Sequence, residues 1–568
     1  MSQREALIPI WQGLPEVPLS ADAPFAPKLL SVWREGYGLR EFRKDAIAGL
    51  TVAIVALPLS MAIAIASGAA PEKGLYTAII GGFLISAFGG SRFQIGGPAG
   101  AFIVLVAAII ERHGHDGLLL ATMMAGVMMM ALGAFRLGTL IKFIPQPVTI
   151  GFTAGIAVII FASQIKDLLG LSLSAREPGA LLPKLQALLG SVSTINPAAF
   201  GIALGTMAVI SLIKRHRPHW PVLLIAVTLA SVVAHVLNLP VETIGSRFGG
   251  VPSSLPAPSL PAFDLARLGA LLPDALAIAL LGSIESLLSA VVADSMTGRR
   301  HRSNTELVAQ GMANIGVALF GGITATGTIA RTATNVRAGA HGPVSGMLHA
   351  VYLLGFMLLL APLMAKIPLA ALAGLLAIVA WNMAEKHAVL SLLRGHGADA
   401  AVMLATFLIT IFRDLTEGIL VGLVLGAILF SVRMARLVEV TSGSSFEDDG
   451  QEAPLNGPSD DRIVHYRIAG PLFFGSTPRF GEVMSRIGIR PRVYLLDLTA
   501  VPLVDASGVE AIGAFARQAK GQQASVIVFG ARPDIADALR HDEQGGALLA
   551  FAPNQSEARA AARRLLEA

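Results

Sequence analysis

Cysteine is absent from all 568 residues, which excludes disulfides and thiolate metal sites. Charge is scarce too: Asp, Glu, Lys and Arg make up 14% of the chain, against about 25% in a soluble domain. No G-x-x-x-x-G-K-[ST] phosphate loop occurs, so nothing marks an ATP-hydrolysing machine. His113, His115 and His349 lack metal-ligand spacing, and neither a metal nor another cofactor is expected. A formal net charge of +5 is small for this length, and no nucleic-acid partner is expected. The first ~45 residues are Pro-rich and polar, without the charged start, short apolar core and small-residue cleavage site of a secretory signal. They are expected to remain in the cytoplasm.

What remains is apolar. Hydrophobic residues make up 54% of the chain, and its mean hydropathy is +0.66. Runs of the ~20 residues needed to cross a bilayer recur from Ala46 to Leu437 and then stop. The pattern predicts an α-helical membrane protein with about fourteen transmembrane segments, beginning near residues 46, 73, 97, 117, 147, 197, 219, 271, 305, 327, 342, 367, 398 and 416. An even count returns both termini to one side. Basic clusters mark that side: Arg40, Arg43 and Lys44, then Lys214, Arg215 and Arg217, then Arg299, Arg300 and Arg302, then Arg433 and Arg436. The positive-inside rule makes it the cytoplasm.

Two stretches interrupt this apolar run in the same way. "FGGSRFQIGGPAGAF" begins at Phe88 and "FGGITATGTIARTATNVRAGA" at Phe320, 232 residues later. That offset suggests two repeats of seven spans, the second inverted because seven is odd. From Pro98 to Arg112 there is room for roughly 15 helical residues, about 22 Å, which is too short for a ~30 Å hydrocarbon core. The helix must therefore begin inside the membrane. Pro98 suits a first helical turn because it has no N–H to leave unpaired, and Gly96-Gly97 lets the preceding chain extend. A second half-helix is expected from Gly327 or Thr328. Two such N-termini at mid-membrane expose N–H groups and partial positive charge, which makes an anion site. Arg331, in the first turn of the second half-helix, adds a full charge. Alternatively, small residues at the breaks serve only tight helix packing, and Arg331 pairs structurally with a carbonyl or carboxylate.

Glu285 lies in the middle of the span "DALAIALLGSIESLLSAVVADSMTG", with Ser289 one turn later on the same face. An intramembrane carboxylate is a functional candidate by default. Beside Arg331 it stays ionised; on protonation it releases the pairing, which couples a proton to anion movement. The alternatives are Na⁺ held by the oxygens of Glu285 and Ser289, or a purely structural Glu285–Arg331 pair. Asp45 and Asp294 lie near basic loops and read as interfacial salt-bridge partners.

The expected organisation is a cytoplasmic N-terminal region over 1–45, a transmembrane transport domain over 46–440, a Gly/Ser/Asp-rich linker over 441–457 and a cytoplasmic α/β domain over 458–568. In the last, "RIVHYRIAGPLFFG" reads as a strand pair, "VYLLDL" and "ASVIVFG" as buried strands and "ASGVEAIGAFARQAK" as a helix.

Taken together, "PEKGLYTAIIGGFLISAFGGSRFQIGGPAGA", "GSIESLLSAVVAD", "GGITATGTIARTATNVRAGA" and the tail "LVDASGVEAI" resemble the SulP anion transporters over nearly the full length. "ELVAQGMANI", "VAWNMAEKH" and "AGPLFFG" resemble the bacterial branch with aerobic C4-dicarboxylate transport. The resemblance implies two inverted seven-span repeats divided into core and gate domains, two half-helices, a C-terminal STAS-like domain, a homodimer and the bacterial inner membrane. It places substrate at Leu59, Ile63, Pro98, Ala99, Gly100, Thr328, Ile329, Ala330 and Arg331, and the coupling ion, a proton or Na⁺, at Glu285 and Ser289. Leu59 and Ile63 replace a Gln and an aromatic of several animal members, which makes the pocket wall more apolar. Ala506 replaces the phosphorylated Ser of signalling relatives of the tail, which leaves Ser507 as a weak substitute, while binding of a cytoplasmic protein by the tail stays open. The function expected is proton-coupled uptake of succinate or fumarate. Sulfate or bicarbonate transport is the alternative, and a nucleobase symporter and a membrane-tethered signalling module are further ones. Arg331 argues against an uncharged base, and Ala506 against the signalling module.

Overall fold

The computed structural model describes residues 25–139, 145–174, 177–217, 220–261, 265–395, 397–413, 415–443, 462–478, 480–481 and 491–567. The expected linker over 441–457 lies outside these apart from its first three residues, as does residues 1–24 of the N-terminal region. The chain divides into two compact units, residues 1–423 and 424–568.

The first unit is helical. In order come α1 (Lys28–Arg34), α2 (Leu39–Ala66), α3 (Pro71–Tyr76), a π-helical turn (Thr77–Gly81), α4 (Gly82–Phe88), β1 (Gly96–Gly97), a 3₁₀ turn (Gly100–Phe102), α5 (Ile103–Ala134), α6 (Gln146–Leu169), α7 (Leu181–Gly190), α8 (Pro197–His216), α9 (Val222–Val236) and α10 (Ile244–Phe248). There follow α11 (Leu265–Thr297), α12 (Ser303–Leu319), β2 (Thr326–Gly327), α13 (Ile329–Arg337), α14 (Val344–Met364), α15 (Leu369–Met383), α16 (Lys386–Arg394), α17 (Gly397–Phe412) and α18 (Leu415–Arg436), whose C-terminal part runs into the second unit.

Among the described residues eight helices are long and apolar enough to cross a membrane, and Val222–Val236 and Gly397–Phe412 are shorter apolar ones. The segments expected near 97 and 117 are two helices that meet end to end within α5, where Gly114 leaves the helical conformation at φ 71° and ψ −177°. Those near 73, 305 and 327 are helical but do not read as spans, for local reasons. The one near 73 is divided by the π-helical turn. α12 carries Glu306, Gln310 and Asn314 along its buried side, and α13 has nine residues.

Packing sorts the helices into two groups. α5 packs on α11 and α12, α14 on α2 and α4, and α13 on α11 and α2; α6 packs on α15 and α17, and α8 on α9 and α15. α2 touches both groups, through α9 and α15 on the second side. Phe200, Leu204, Leu229, Val232, Leu404 and Leu408 are exposed apolar residues on α8, α9 and α17, as a hydrocarbon solvent allows. Caps are local and chemical: Asn196 Oδ1 accepts the Ala198 and Ala199 N–H groups at the start of α8, where Pro197 takes the first helical position.

Asp45 is not a salt-bridge partner as expected. It is buried and accepts the N–H groups of His341 and Gly342 at 2.6 and 3.0 Å and the Tyr37 hydroxyl at 2.8 Å, so it ties α2 to the loop after α13. Asp294 does meet a basic residue, His301, at 2.6 Å. Before α2, Glu35 pairs with Arg92, whose donated hydrogen bond and charge hold the carboxyl below its usual range.

The second unit carries a five-stranded sheet in the order β3 (Glu439–Gly443), β4 (Ile463–Ala469), β5 (Val493–Ala500), β6 (Ser525–Phe529) and β7 (Leu549–Ala552), antiparallel between β3 and β4 and parallel thereafter. The helices α19 (Ala506–Gly521), α20 (Pro533–Arg540) and α21 (Gln555–Glu567) complete it. Strand alternation divides the core. Tyr466, Ile468, Leu496, Leu498, Val526 and Val528 pack with α19 and α20, while Val493, Leu495, Ile527 and Phe529 pack with Ala558 and Ala562 of α21. The strand pair expected in "RIVHYRIAGPLFFG" does not form. After Gly470, which takes φ 97°, the chain leaves the sheet, and β4 finds its antiparallel partner in Glu439–Gly443 instead. That strand crosses the expected boundary at 440.

Asp505 caps α19: Oδ1 accepts the Gly508 N–H at 2.9 Å, and Oδ2 accepts the Phe474 N–H at 3.1 Å. Asp505→Ala is expected to cost about 1–2 kcal/mol, read as a lower melting temperature of the second unit; an unchanged transition removes Asp505 from this role.

Candidate functional site

The two breaks meet. β1 and β2 form an antiparallel ribbon in which Gly96 pairs with Gly327 and Gly97 with Thr326. Each strand leads into a helix start, Gly100–Phe102 and then α5 on one side and α13 on the other. Backbone groups freed inside a membrane need internal partners, and each break supplies them to the other. Thr328 N–H and Oγ1 donate to the Ile95 carbonyl at 3.0 and 3.3 Å, Thr332 Oγ1 accepts the Ile95 N–H at 3.1 Å, and Asn335 Nδ2 donates to the Phe93 carbonyl at 2.9 Å.

Arg331 extends from α13 across this crossing. Its side chain is 2% exposed, and Nη2 donates to Ser60 Oγ of α2 and to the Pro98 carbonyl, both at 3.2 Å. Nε and Nη1 have no protein partner. Gly97 makes room for the guanidinium: it takes φ 154°, and a Cβ there falls onto Arg331 Nη1. A buried cation with two free donors, beside two helix N-termini, is built to receive acceptor oxygens.

The structure brings several of the expected residues together. Pro98 bonds Arg331 directly, Ala99 precedes the first helix start, and Thr328 precedes the second. Leu59 and Ile63 are buried on α2, on either side of Ser60. Ile329, 38% exposed, and Ala330 face open space. Gly100 lies under the second helix group, because a Cβ on it meets Met383 Sδ at 3.3 Å and Ile160 Cδ1 at 3.7 Å. Glu285 is not brought to Arg331. No ion pair joins them among the described residues, and Glu285 is partly exposed on α11. The cation is instead engaged by Ser60 of α2 and the Pro98 carbonyl. Ser289 Oγ instead donates to Thr332 Oγ1 at 3.0 Å, which fastens α11 to the second half-helix, and Thr326 Oγ1 donates to the Gly282 carbonyl at 3.0 Å.

Sequence reasoning missed Ser60, Gln94, Ser286, Glu306 and Met383. A buried serine one residue after Leu59 has no signal of its own in an apolar helix. Glu306, by contrast, is a carboxylate within an expected span, the same signal that singled out Glu285.

Residues 42–406 match the Sulfate permease family and residues 456–542 the STAS domain. A putative sulfate transporter of Bacillus subtilis, YvdB, is 41% identical over 87% of this chain and 93% of its own length. The bicarbonate transporter BicA of a Picosynechococcus species is 30% identical over 87% of this chain and 89% of its own. The transmembrane domain of a cyanobacterial BicA superimposes with a TM-score of 0.61 at 32% identity, covering 68% of this chain and 98% of that one. The murine Solute Carrier 26 family member A9 anion transporter gives 0.84 at 18% identity, covering 98% of this chain and 97% of that one.

Gly97→Ala strains a glycine-only backbone angle by about 1–3 kcal/mol and displaces Arg331. Anion uptake by reconstituted protein is expected to fall at least about fivefold, and wild-type uptake by this variant contradicts the packing of Arg331 on Gly97.

Proposed function

Because the chain belongs to the sulfate permease family, as a multi-pass membrane anion transporter with a C-terminal STAS domain, we propose that it carries a compact oxyanion bound at Arg331 between the two half-helices. The observation that carries this reading is the buried guanidinium, whose Nε and Nη1 lack protein partners at the crossing of the breaks. Pro98, Ala99 and Gly100 on one side and Thr328, Ile329 and Ala330 on the other would supply the N-terminal dipoles. Leu59 and Ile63 would supply an apolar wall.

Sulfate is the first choice and bicarbonate the second. One cation and two converging helix starts suit an anion whose oxygens surround one centre. A C4-dicarboxylate puts its charges at two ends and needs a second cation, whereas of the arginines in the two break stretches Arg92 is paired with Glu35 and Arg337 is exposed at the end of α13, which leaves Arg331 at the crossing. The relatives named for sulfate and bicarbonate support the same order over the dicarboxylate expectation.

Rocking of the helix group holding the breaks against the group holding α6 and α15 would expose the site to each side in turn. Glu285 and Ser289 are the proposed coupling position. With Glu285 free of Arg331, a proton or Na⁺ would act through α11, which is bonded to the second break at Gly282 and Ser289, rather than by breaking an ion pair. Both termini in the cytoplasm and a homodimer complete the proposal.

Labelled sulfate uptake into proteoliposomes, competed by bicarbonate and succinate, tests the substrate. Competition by succinate at sulfate-like concentration restores the dicarboxylate reading. Arg331→Ala removes a buried charged partner worth about 2–5 kcal/mol, so uptake is expected to fall by at least about thirtyfold; undiminished uptake places the site elsewhere. Glu285→Gln is expected to abolish stimulation by an ion gradient while anion exchange persists, and full stimulation in that variant removes Glu285 from coupling.

A further inference from the structure

A chain of buried polar side chains runs beneath the crossing, and neither the anion site nor the coupling position uses it. Gln94, 3% exposed at the entry to the first break, donates Nε2 to Ser286 Oγ at 2.8 Å. It lies so closely over Gly327 that a Cβ there falls onto its amide. Ser286 follows Glu285 in α11, and its hydroxyl donates to Glu306 Oε1 at 3.5 Å. Glu306, fully buried on α12, also accepts Gln310 Nε2 at 2.9 Å on Oε1, and the N–H groups of Gly90 and Ser91 at 2.9 and 3.0 Å on Oε2.

None of these four donors is a cation. A buried carboxylate without a counter-charge is costly to keep for stability alone, so its use lies in what its two oxygens hold. One oxygen fixes the loop that leads into the first break, and the other fixes the hydroxyl that holds Gln94. Gln94 in turn presses on Gly327, the residue before the Thr328 cap of α13.

We infer that Glu306 is a positioning residue of the anion site: through Ser286 and Gln94 it sets the first break on the second and so fixes the distance between the two helix starts. The inference rests on the reading that the anion lies between those starts. It also gives α11 a path to the site, since a shift of α11 at Glu285 moves Ser286, and with it Gln94.

The test uses full-length protein in proteoliposomes, with labelled sulfate as probe. Ser286→Ala, Glu306→Gln, Glu306→Ala and the double variant Ser286→Ala/Glu306→Ala are compared for KM and Vmax, and amide hydrogen exchange is measured over residues 88–97. Ser286→Ala removes one small hydroxyl, so the protein is expected to stay monodisperse with KM raised about tenfold, within the reach of one hydrogen bond, and Vmax within about twofold. Glu306→Gln is expected to keep KM within about threefold. Its oxygen still accepts the loop N–H groups, and Gln310, whose Oε1 has no partner, can turn to accept the new amide. Glu306→Ala is expected to raise KM as Ser286→Ala does, and the double variant no further, because the residues act in series. A wild-type KM in Ser286→Ala, or additive effects in the double variant, overturns the relay. Arg331→Ala run in parallel separates the two readings. If it leaves KM unchanged, or if sulfate does not move, the site assignment fails, and exchange over residues 88–97 decides the relay alone: faster in Ser286→Ala upholds it, unchanged overturns it.

Discussion

Two backbone breaks inside a hydrocarbon layer must find their hydrogen-bond partners within the protein, and at their centre they find them in each other. Breaking a helix at mid-membrane frees N–H and carbonyl groups that lipid cannot satisfy, and here the pairing of Gly96-Gly97 with Thr326-Gly327 satisfies them mutually. The glycines are required by that contact: Gly97 gives way to Arg331 and Gly327 to Gln94. Everything else at the site follows from the crossing. It puts the helix starts together, brings Pro98 within reach of Arg331, and obliges α2, α11 and α12 to supply polar side chains where the breaks pass.

The charges are handled differently according to their task. Asp45 and Glu306 are closed off by backbone and side-chain donors and serve to hold loops. Arg331 is only half satisfied. Glu285 stands partly exposed, apart from Arg331. The contrast separates groups that complete the structure from groups that await something mobile. On the proposed coupling role of Glu285, substrate and coupling ion would communicate without touching, because the face of α11 that carries Glu285 also bonds the second break through Gly282 and Ser289.

Much of this was legible in the residues. Paired Phe-Gly-Gly openings, Pro98 after two glycines and an intramembrane Arg331 announce two half-helices with a buried cation at their crossing, because each breaks a strong local rule for membrane helices. The helix at each expected segment was legible too, as was the alternation that buries both faces of the C-terminal sheet. Partner choice was not. That Arg331 would meet Ser60 and Pro98 rather than Glu285 depends on how α2 and the first break pack against α13, and no spacing in the sequence encodes it. The antiparallel partner of Ile463–Ala469 was missed for a related reason: local pattern favoured the neighbouring "GPLFFG", whereas the strand that pairs straddles the start of the expected linker.

The ribbon at the centre has a further consequence. An antiparallel pair in which Gly96 opposes Gly327 is almost unchanged when turned end for end, and the helix that leaves each strand departs in the opposite sense. The side chains break that two-fold relation: the cation rises from one half-helix alone, and the other answers it with the Pro98 carbonyl. The centre of the fold is thus near-symmetric in its backbone and one-handed in its charge.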